Sequence, residues 1–385
     1  MTPLARHTVT IVLTVDMIKA NSYPRSMPAG KHDRTDIAPI RPGEELDWPR
    51  LEAYLRANLD GAEGPMEVLQ FPNGSANLTY MVRFGDTPYV VRRPPFGAIA
   101  PGAHDMRREH QALSRLWRSF APAPRSYLFC DDHSVIGSDF LVIEYREGVV
   151  IWSHIPDSMA QHPDVARRVG FACAGALAQL HRLDPDTAGV ADLGRPAGFV
   201  ARQLSGWRKR WELSASAEAN EVMTDVADRL AAKVPEPQSA SVLHNDFKLD
   251  NCQFDPSEPD RVHSIFDWDM ATVGDPLVDL GTLLNYWPDP SDPAEGGPIV
   301  NLGMGDLGLP TRGEIIDRYA DVTGFDPAPV AWYEAFACWK TAVVLRQLYV
   351  RYERGDSTDS RMATRGALVL PQAHRAASIL DSNGL

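Results

Sequence analysis

The segment Leu243–Asn251 constrains this chain more than any other, because L-H-N-D-F-K-L-D-N places His244, Asp246 and Asn251 in an H-x-D-x-x-x-x-N spacing between two strand-like runs. A loop this tight turns Asp246 and Asn251 toward one cleft, while His244 packs behind and fixes the loop. In phosphoryl transfer an aspartate must orient or accept from the attacking hydroxyl. An asparagine a short loop later can ligate a magnesium ion bridging the phosphates. Lys248, inside the loop, is a secondary candidate. Alone the spacing is moderately specific. A second element raises it: Ser264–Asp269 reads S-I-F-D-W-D, an apolar run ending in an acidic pair. Asp267 directly follows Ile265-Phe266 at a strand end and is the expected metal ligand. Asp269, two residues on, could share that face and is a secondary candidate. The bland alternative is a hairpin with solvated acids, which does not account for two elements in this order.

Around these motifs the chain changes character once. The first part reads as strands and short helices: a helix after the cap candidate Asp47, strands over Met66–Phe71, Leu78–Phe84 and Pro88–Arg92, and a helix over Met106–Trp117. Val135–Ile136 and Phe140–Glu144 are expected as two further strands about a Gly137-Ser138-Asp139 turn. Beyond that, helical periodicity dominates, over Val165–Leu183, Gly198–Glu212, Glu221–Lys233, Thr311–Thr323 and Ala331–Glu353. The pattern predicts an α+β chain with a small β-rich lobe and a larger helical lobe, joined near Glu144–Gly148. Residues 1–44 are expected as an N-terminal extension rich in Pro, Gly and charge, with Met17 and Met27 as alternative starts. Residues 45–145 then form the N-lobe and 146–385 the C-lobe.

Composition narrows the function classes. A net charge of −13 argues against a nucleic-acid coat or a polybasic membrane binder. Thr8–Val15 is apolar but too short to span a bilayer, so no membrane role is expected. Four separated cysteines without a C-x-x-C pair exclude a disulfide scaffold or zinc knuckle and fit a reducing, cytoplasmic compartment. No metalloprotease spacing or G-x-S-x-G context is present.

H-N-D-F-K-L-D-N followed by I-F-D-W-D-M-A-T-V-G-D-P-L-V-D-L-G resembles the aminoglycoside phosphotransferase and choline-kinase-like family. The resemblance covers about Leu46 to the C-terminal helices. It implies a protein-kinase-like two-lobed fold, with a small antiparallel-sheet N-lobe and a mostly helical C-lobe. It also implies ATP- or GTP-dependent, Mg2+-dependent transfer of a phosphoryl group to a small-molecule hydroxyl. On this likeness, the turn Asn73, Gly74, Ser75, Ala76 and Asn77 lies over the nucleotide phosphates. Tyr89-Val90-Val91-Arg92 occupies the place of V-A-I-K, with Arg92 in place of lysine and Arg93 a competitor on the opposite face. Glu109, in the helix Met106–Trp117, is the expected partner of that arginine; a surface salt bridge with Arg107 or Arg108 is the alternative. Phe140–Gly148 fits the interlobe hinge, with adenine near the backbone of Glu144–Arg146.

Gly274-Asp275-Pro276 and Asp279 complete the resemblance, and Asp275 and Asp279 are expected to hold loops by hydrogen bonds rather than to do chemistry. Only Trp268–Val273 separates Asp267 from that turn, and no D-F-G or A-P-E occurs. Little room remains for a peptide platform, which favours a small-molecule acceptor. Phe199–Trp211 sets Arg202, Arg208, Lys209 and Arg210 beside Trp207 and Trp211. This is either a solvated helix with both tryptophans inward or a site for an anionic acceptor. Domains acting on hydroxyacyl-CoA exist within the broader family, including domains associated with acyl-CoA dehydrogenases, and the motif style resembles them. An aminoglycoside acceptor is the alternative, and a catalytically silent kinase-like nucleotide binder is the alternative of another class. The sequence leaves the acceptor, ATP against GTP and the oligomeric state open.

Overall fold

Asp47 accepts the backbone N–H of Arg50 and starts α1 (Trp48–Asn58), whose Leu51 and Leu55 are buried against a sheet. In the computed structural model, the described residues are 37–72, 77–97, 104–293, 297, 304–356 and 360–385. The N-lobe sheet is built from β1 (Met66–Gln70), β2 (Leu78–Phe84), β3 (Thr87–Arg93), β4 (Ser126–Cys130) and β5 (Phe140–Glu144), in the order β1-β2-β3-β5-β4. All four pairings are antiparallel. Side-chain alternation divides the sheet: Tyr89 and Val91 pack with α1, while Val90 joins Leu141, Ile143, Met106 and Leu113 in the core that continues into the C-lobe. Met106 and Leu113 belong to α2 (Met106–Leu116), capped by Asp105.

One expected strand is absent and an unexpected one takes its place. Val135–Ile136 is not a strand but part of a short helix, α3 (His133–Ile136). Asp132 caps its start and Gly137, at φ 82°, ends it in the left-handed region. The strand beside β5 is instead Ser126–Cys130, too short and too irregular in burial to stand out by alternation. Residues at the edge of the lobe also pair with it. Ala38 and Gln70 exchange backbone bonds at 2.8 Å, and the Tyr80 hydroxyl donates to the Glu44 carbonyl at 2.6 Å.

The C-lobe holds two small antiparallel sheets and seven helices among the described residues. One sheet orders β6 (Val149–Val150), β8 (Cys252–Phe254) and β9 (Val262–Ile265) as β6-β8-β9. The other pairs β7 (Ser241–Leu243) with β10 (Thr272–Gly274). The helices are α4 (Val165–His181), α5 (Phe199–Ser214), α6 (Asn220–Ala232), α7 (Leu277–Asn285), α8 (Arg312–Thr323), α9 (Val330–Glu353) and α10 (Val369–Ser382). Every residue of α7 is buried, so it shows no polar face for periodicity to detect. Gly281 lets α9 lie against it, since a Cβ there would sit 2.5 Å from the Tyr333 backbone. None of the described helices is long and apolar enough to cross a membrane.

Candidate active site

The loop between β7 and β8 is held from beneath by Asp279 of α7. Its two carboxylate oxygens accept the backbone N–H groups of His244 and Asn245, each at 2.7 Å. Asn245 sits at φ 68°, a left-handed conformation asparagine tolerates better than most residues, so the chain kinks just before Asp246. His244 lies behind the loop, its ring 4.7 Å from that of Trp268. Nε2 faces the Phe266 carbonyl at 2.7 Å and must therefore donate, while Nδ1 accepts the Asp246 N–H at 3.3 Å. Asn251 ends a 3-10 turn and donates Nδ2 to the Asp246 carbonyl at 2.9 Å and to its Oδ2 at 3.4 Å. Lys248 Nζ lies 3.4 Å from the same Oδ2, and this neighbour raises the lysine above its usual range.

The β8–β9 hairpin brings the second motif alongside. The Phe266 N–H donates to the Asn251 carbonyl at 2.9 Å, which sets Asn251 beside the turn carrying Asp267, itself at φ 67°. Arg92 reaches from β3 into the same place, with Nη2 2.8 Å from Asp267 Oδ1 and Nε 3.3 Å from Glu109 Oε2. Asn77 Nδ2 lies 3.5 Å from both Asp267 and Asp269, and His104 Nδ1 contacts the Asn77 side-chain oxygen Oδ1 at 2.9 Å. Burial acts against the Arg92 charge, but Glu109 and Asp267 overcome it and hold its pKa above the ordinary value. Burial likewise acts to raise Asp267, yet Arg92 keeps that carboxyl below the usual range. Burial pushes Glu109 up to about 7 against the pull of Arg92. Asp269 is pushed up to about 8 by burial and by the Asp267 and Glu109 charges. Three carboxylates thus share one buried guanidinium, and the cluster is short of positive charge.

That shortage and the donor chemistry suit magnesium. The Asn251 amide oxygen and the Asp267 carboxylate are hard oxygen donors. No group of three His, Cys, Asp or Glu among the described residues could hold a metal alone. Magnesium is commonly held by one or two carboxylates, with water and substrate phosphates completing its shell.

Residues 67–332 match the model of the phosphotransferase enzyme family. The chain belongs to that family. It is 29% identical over 358 residues to acyl-CoA dehydrogenase family member 11 of Homo sapiens, covering 90% of this chain and 45% of that protein. The chain therefore spans under half the length of this curated relative. Among solved structures, a provisionally named aminoglycoside phosphotransferase from Ralstonia eutropha JMP134 is 27% identical, with a TM-score of 0.71, 88% of this chain and 99% of that one covered. A choline/ethanolamine kinase family protein from Mesorhizobium loti shares the fold, at 18% identity and a TM-score of 0.54, over 87% and 95% of the two chains. The family's reaction is ATP- and magnesium-dependent phosphoryl transfer to a hydroxyl, and the two-lobed architecture is the kinase-like one.

Within this phosphotransferase the remaining expected residues are distributed unevenly. Asn73, Gly74, Ser75 and Ala76 lie outside the described residues. Arg93 faces away from Arg92, donating to the Pro94 and Ile136 carbonyls at 3.0 and 3.2 Å. Arg146 is a hinge strut: it donates to the carbonyls of Ala121, Ala123 and His263 and to Glu144 Oε2, which also accepts the Arg125 N–H. Asp275 accepts the Tyr333 hydroxyl at 2.5 Å and the Leu277 N–H at 3.1 Å. On α5, Arg202 is tied to the carbonyls of Arg195 and Ala197, and Arg208 pairs with Asp228 at 2.7 Å. Trp207 and Trp211 are buried, Lys209 is exposed, and Arg210 stacks 4.3 Å from the Trp207 ring.

Two groups escape sequence reasoning. His181 bridges Tyr319 (2.7 Å) to Asp279 (3.3 Å), although its position after an Ala-rich helix signals only burial. Lys340 of α9 donates to the Asn245 carbonyl at 3.2 Å, and nothing in helical spacing marks it. Asp279→Ala would strand two buried backbone N–H groups, each costing about 1–3 kcal/mol. The expected result is a clear fall in the urea midpoint together with lost turnover. An unchanged midpoint would show that the loop holds its shape without this carboxylate.

Proposed function

We propose that this phosphotransferase moves the γ-phosphoryl group of ATP to the hydroxyl of a hydroxyacyl-CoA, with Asp246 accepting the hydroxyl proton. Its carboxylate stands between Asn251 and Lys248 and has a solvent-reachable face. Asn251 and Asp267 would hold magnesium, which when bound neutralises charge on the phosphates and orients them. Arg92, steadied by Glu109, would bind the α/β-phosphates. Its planar fork serves a carboxylate and a phosphate together better than an ammonium can. Asp269 is held near Arg92 and Asn77 and would support the metal side. The hinge backbone at Glu144–Arg146 would take the adenine, or guanine if GTP is the donor.

One observation carries the acceptor class: Lys340, with no ion pair among the described residues, stands at the base of the catalytic loop, whereas Lys248 within the loop is matched by Asp246 and Asp250. Arg210 stacks on the Trp207 ring that Lys340 also meets, 5.6 Å away. An ammonium without a paired carboxylate suits an acceptor that brings an acyl oxygen better than it suits a polycationic aminoglycoside. Similarity to a protein named for acyl-CoA dehydrogenation supports the same class.

The test is ATP consumption by purified protein against hydroxyacyl-CoAs, aminoglycosides, choline and sugars. Turnover confined to hydroxyacyl-CoAs is expected. Turnover with an aminoglycoside would replace the proposal, and nucleotide binding without turnover on any acceptor would support a silent binder. Replacing Arg208, Lys209 and Arg210 together by Gln should raise the acceptor KM and flatten its salt dependence, since such attraction is screened over roughly 8–10 Å. Because Arg208 is already paired with Asp228, the effect should come from Lys209 and Arg210. An unchanged acceptor KM in dilute buffer would make α5 a solvated face only.

A further inference from the structure

Lys340 is an unusual residue for its place. It lies in α9 between Trp339 and Thr341, both buried, on a helix whose neighbouring positions from Trp332 to Leu345 form much of the C-lobe core. Lysine is seldom taken into such surroundings without a carboxylate partner. Among the described residues none lies within ion-pair distance of Lys340. What it has instead is one hydrogen bond, to the carbonyl of Asn245, and the Trp207 ring 5.6 Å away. Burial holds its pKa below the ordinary value, while Asp246 and Asp279 pull the other way.

Asn245 is the left-handed residue immediately before Asp246, so the ammonium stands at the base of the catalytic loop. An ammonium has three N–H donors, and the Asn245 carbonyl takes one. Holding that carbonyl would need only a neutral donor. A charged group kept beside Asp246 with two donors in hand is suited to an oxygen that arrives with the substrate. Arg210, on the same tryptophan, adds a second positive charge behind it.

We propose that Lys340 determines acceptor specificity by binding the acyl oxygen, a thioester carbonyl or a carboxylate, that neighbours the reacting hydroxyl. This rests on the hydroxyacyl reading of the function and deepens it. The CoA phosphates lie far from the hydroxyl along the pantetheine arm and would be met elsewhere; Lys340 reads the acyl end. A sugar or aminoglycoside has no acyl oxygen there, and the ammonium groups of an aminoglycoside would be repelled.

The experiment uses the full chain with Lys340→Met, Lys340→Gln and Lys340→Arg. The probes are acyl-CoA thioesters hydroxylated at carbon 3, 4 or 5 and the corresponding free hydroxy acids. Lys340→Met should raise the acceptor KM about ten- to a hundredfold, the usual effect of removing a charged hydrogen-bond partner. The ATP KM should stay within about twofold, and Lys340→Arg should recover most of the loss. Lys340→Gln keeps a donor for Asn245 and guards against misfolding of the Met variant; it should show the same acceptor defect with a wild-type melting temperature. A fall in kcat at constant acceptor KM would overturn the proposal and leave Lys340 as a brace for Asn245. If thioesters are turned over and all three variants match the wild type, Lys340 alone is refuted. Turnover by the wild type of aminoglycosides or sugars, but of no thioester or hydroxy acid, would refute the functional reading and the role of Lys340 with it.

Discussion

Asp246→Asn should lower kcat by about 10²- to 10⁴-fold, the range that a positioned general base supplies, while leaving nucleotide affinity nearly intact. The substitution keeps size and an acceptor oxygen for Asn251 but removes the group that takes the hydroxyl proton. Nucleotide affinity should survive because the Arg92, Glu109 and Asp267 cluster makes no contact with Asp246, whose one ion pair among the described residues is with Lys248. Calorimetric titration with AMP-PNP, beside steady-state kinetics, separates the two quantities. A variant that lost nucleotide binding yet kept its turnover per bound complex would show that Asp246 belongs to the phosphate site.

Asp267→Ala should do the reverse and weaken magnesium-dependent nucleotide binding by about tenfold or more, since even partners one shell further out are worth that much at metal sites. The variant loses the expected metal ligand and the carboxylate that Arg92 contacts at 2.8 Å. Asp269 would be relieved of the like charge that helps push it up, and could ionise and take over part of the load. Combining Asp267→Ala with Asp269→Ala should therefore cost more than the single change. The readout is AMP-PNP affinity with magnesium and with chelator: the wild type should lose affinity on chelation and the double variant should show almost no difference. A magnesium response as large as that of the wild type would remove Asp267 and Asp269 from the metal site.

Much of this arrangement is legible before folding, for a local reason. Asp246 and Asn251 lie within one loop, and Asp267 closes the hairpin that follows, so chain connectivity alone brings them near one another. The strands β2, β3 and β5 and most helices are likewise announced by period and caps. What escaped lacked a local signature. β4 is short and irregular in burial, Val135–Ile136 is apolar but enclosed between a helix cap and a glycine, and α7 is buried on every side.

The choice between Arg92 and Arg93 shows where sequence stops. Strand alternation puts them on opposite faces, but which face meets the C-lobe depends on α1 covering one side and α2 the other. The same holds for α5, whose row of basic residues reads as one patch. Folding divides it among Asp228, two backbone carbonyls and a tryptophan ring. Asp279 and Lys340 are the far case: they reach the loop from positions 35 and 95 residues from the backbone atoms they bind. The sequence by itself determined the order of the chemical groups and the two-lobed class, because motif spacing and periodicity are properties of neighbouring residues. Only the tertiary structure decided which arginine enters the cleft, what holds Asp246 in place and which charge waits beside it. Those contacts depend on packing between segments that carry no mark of one another.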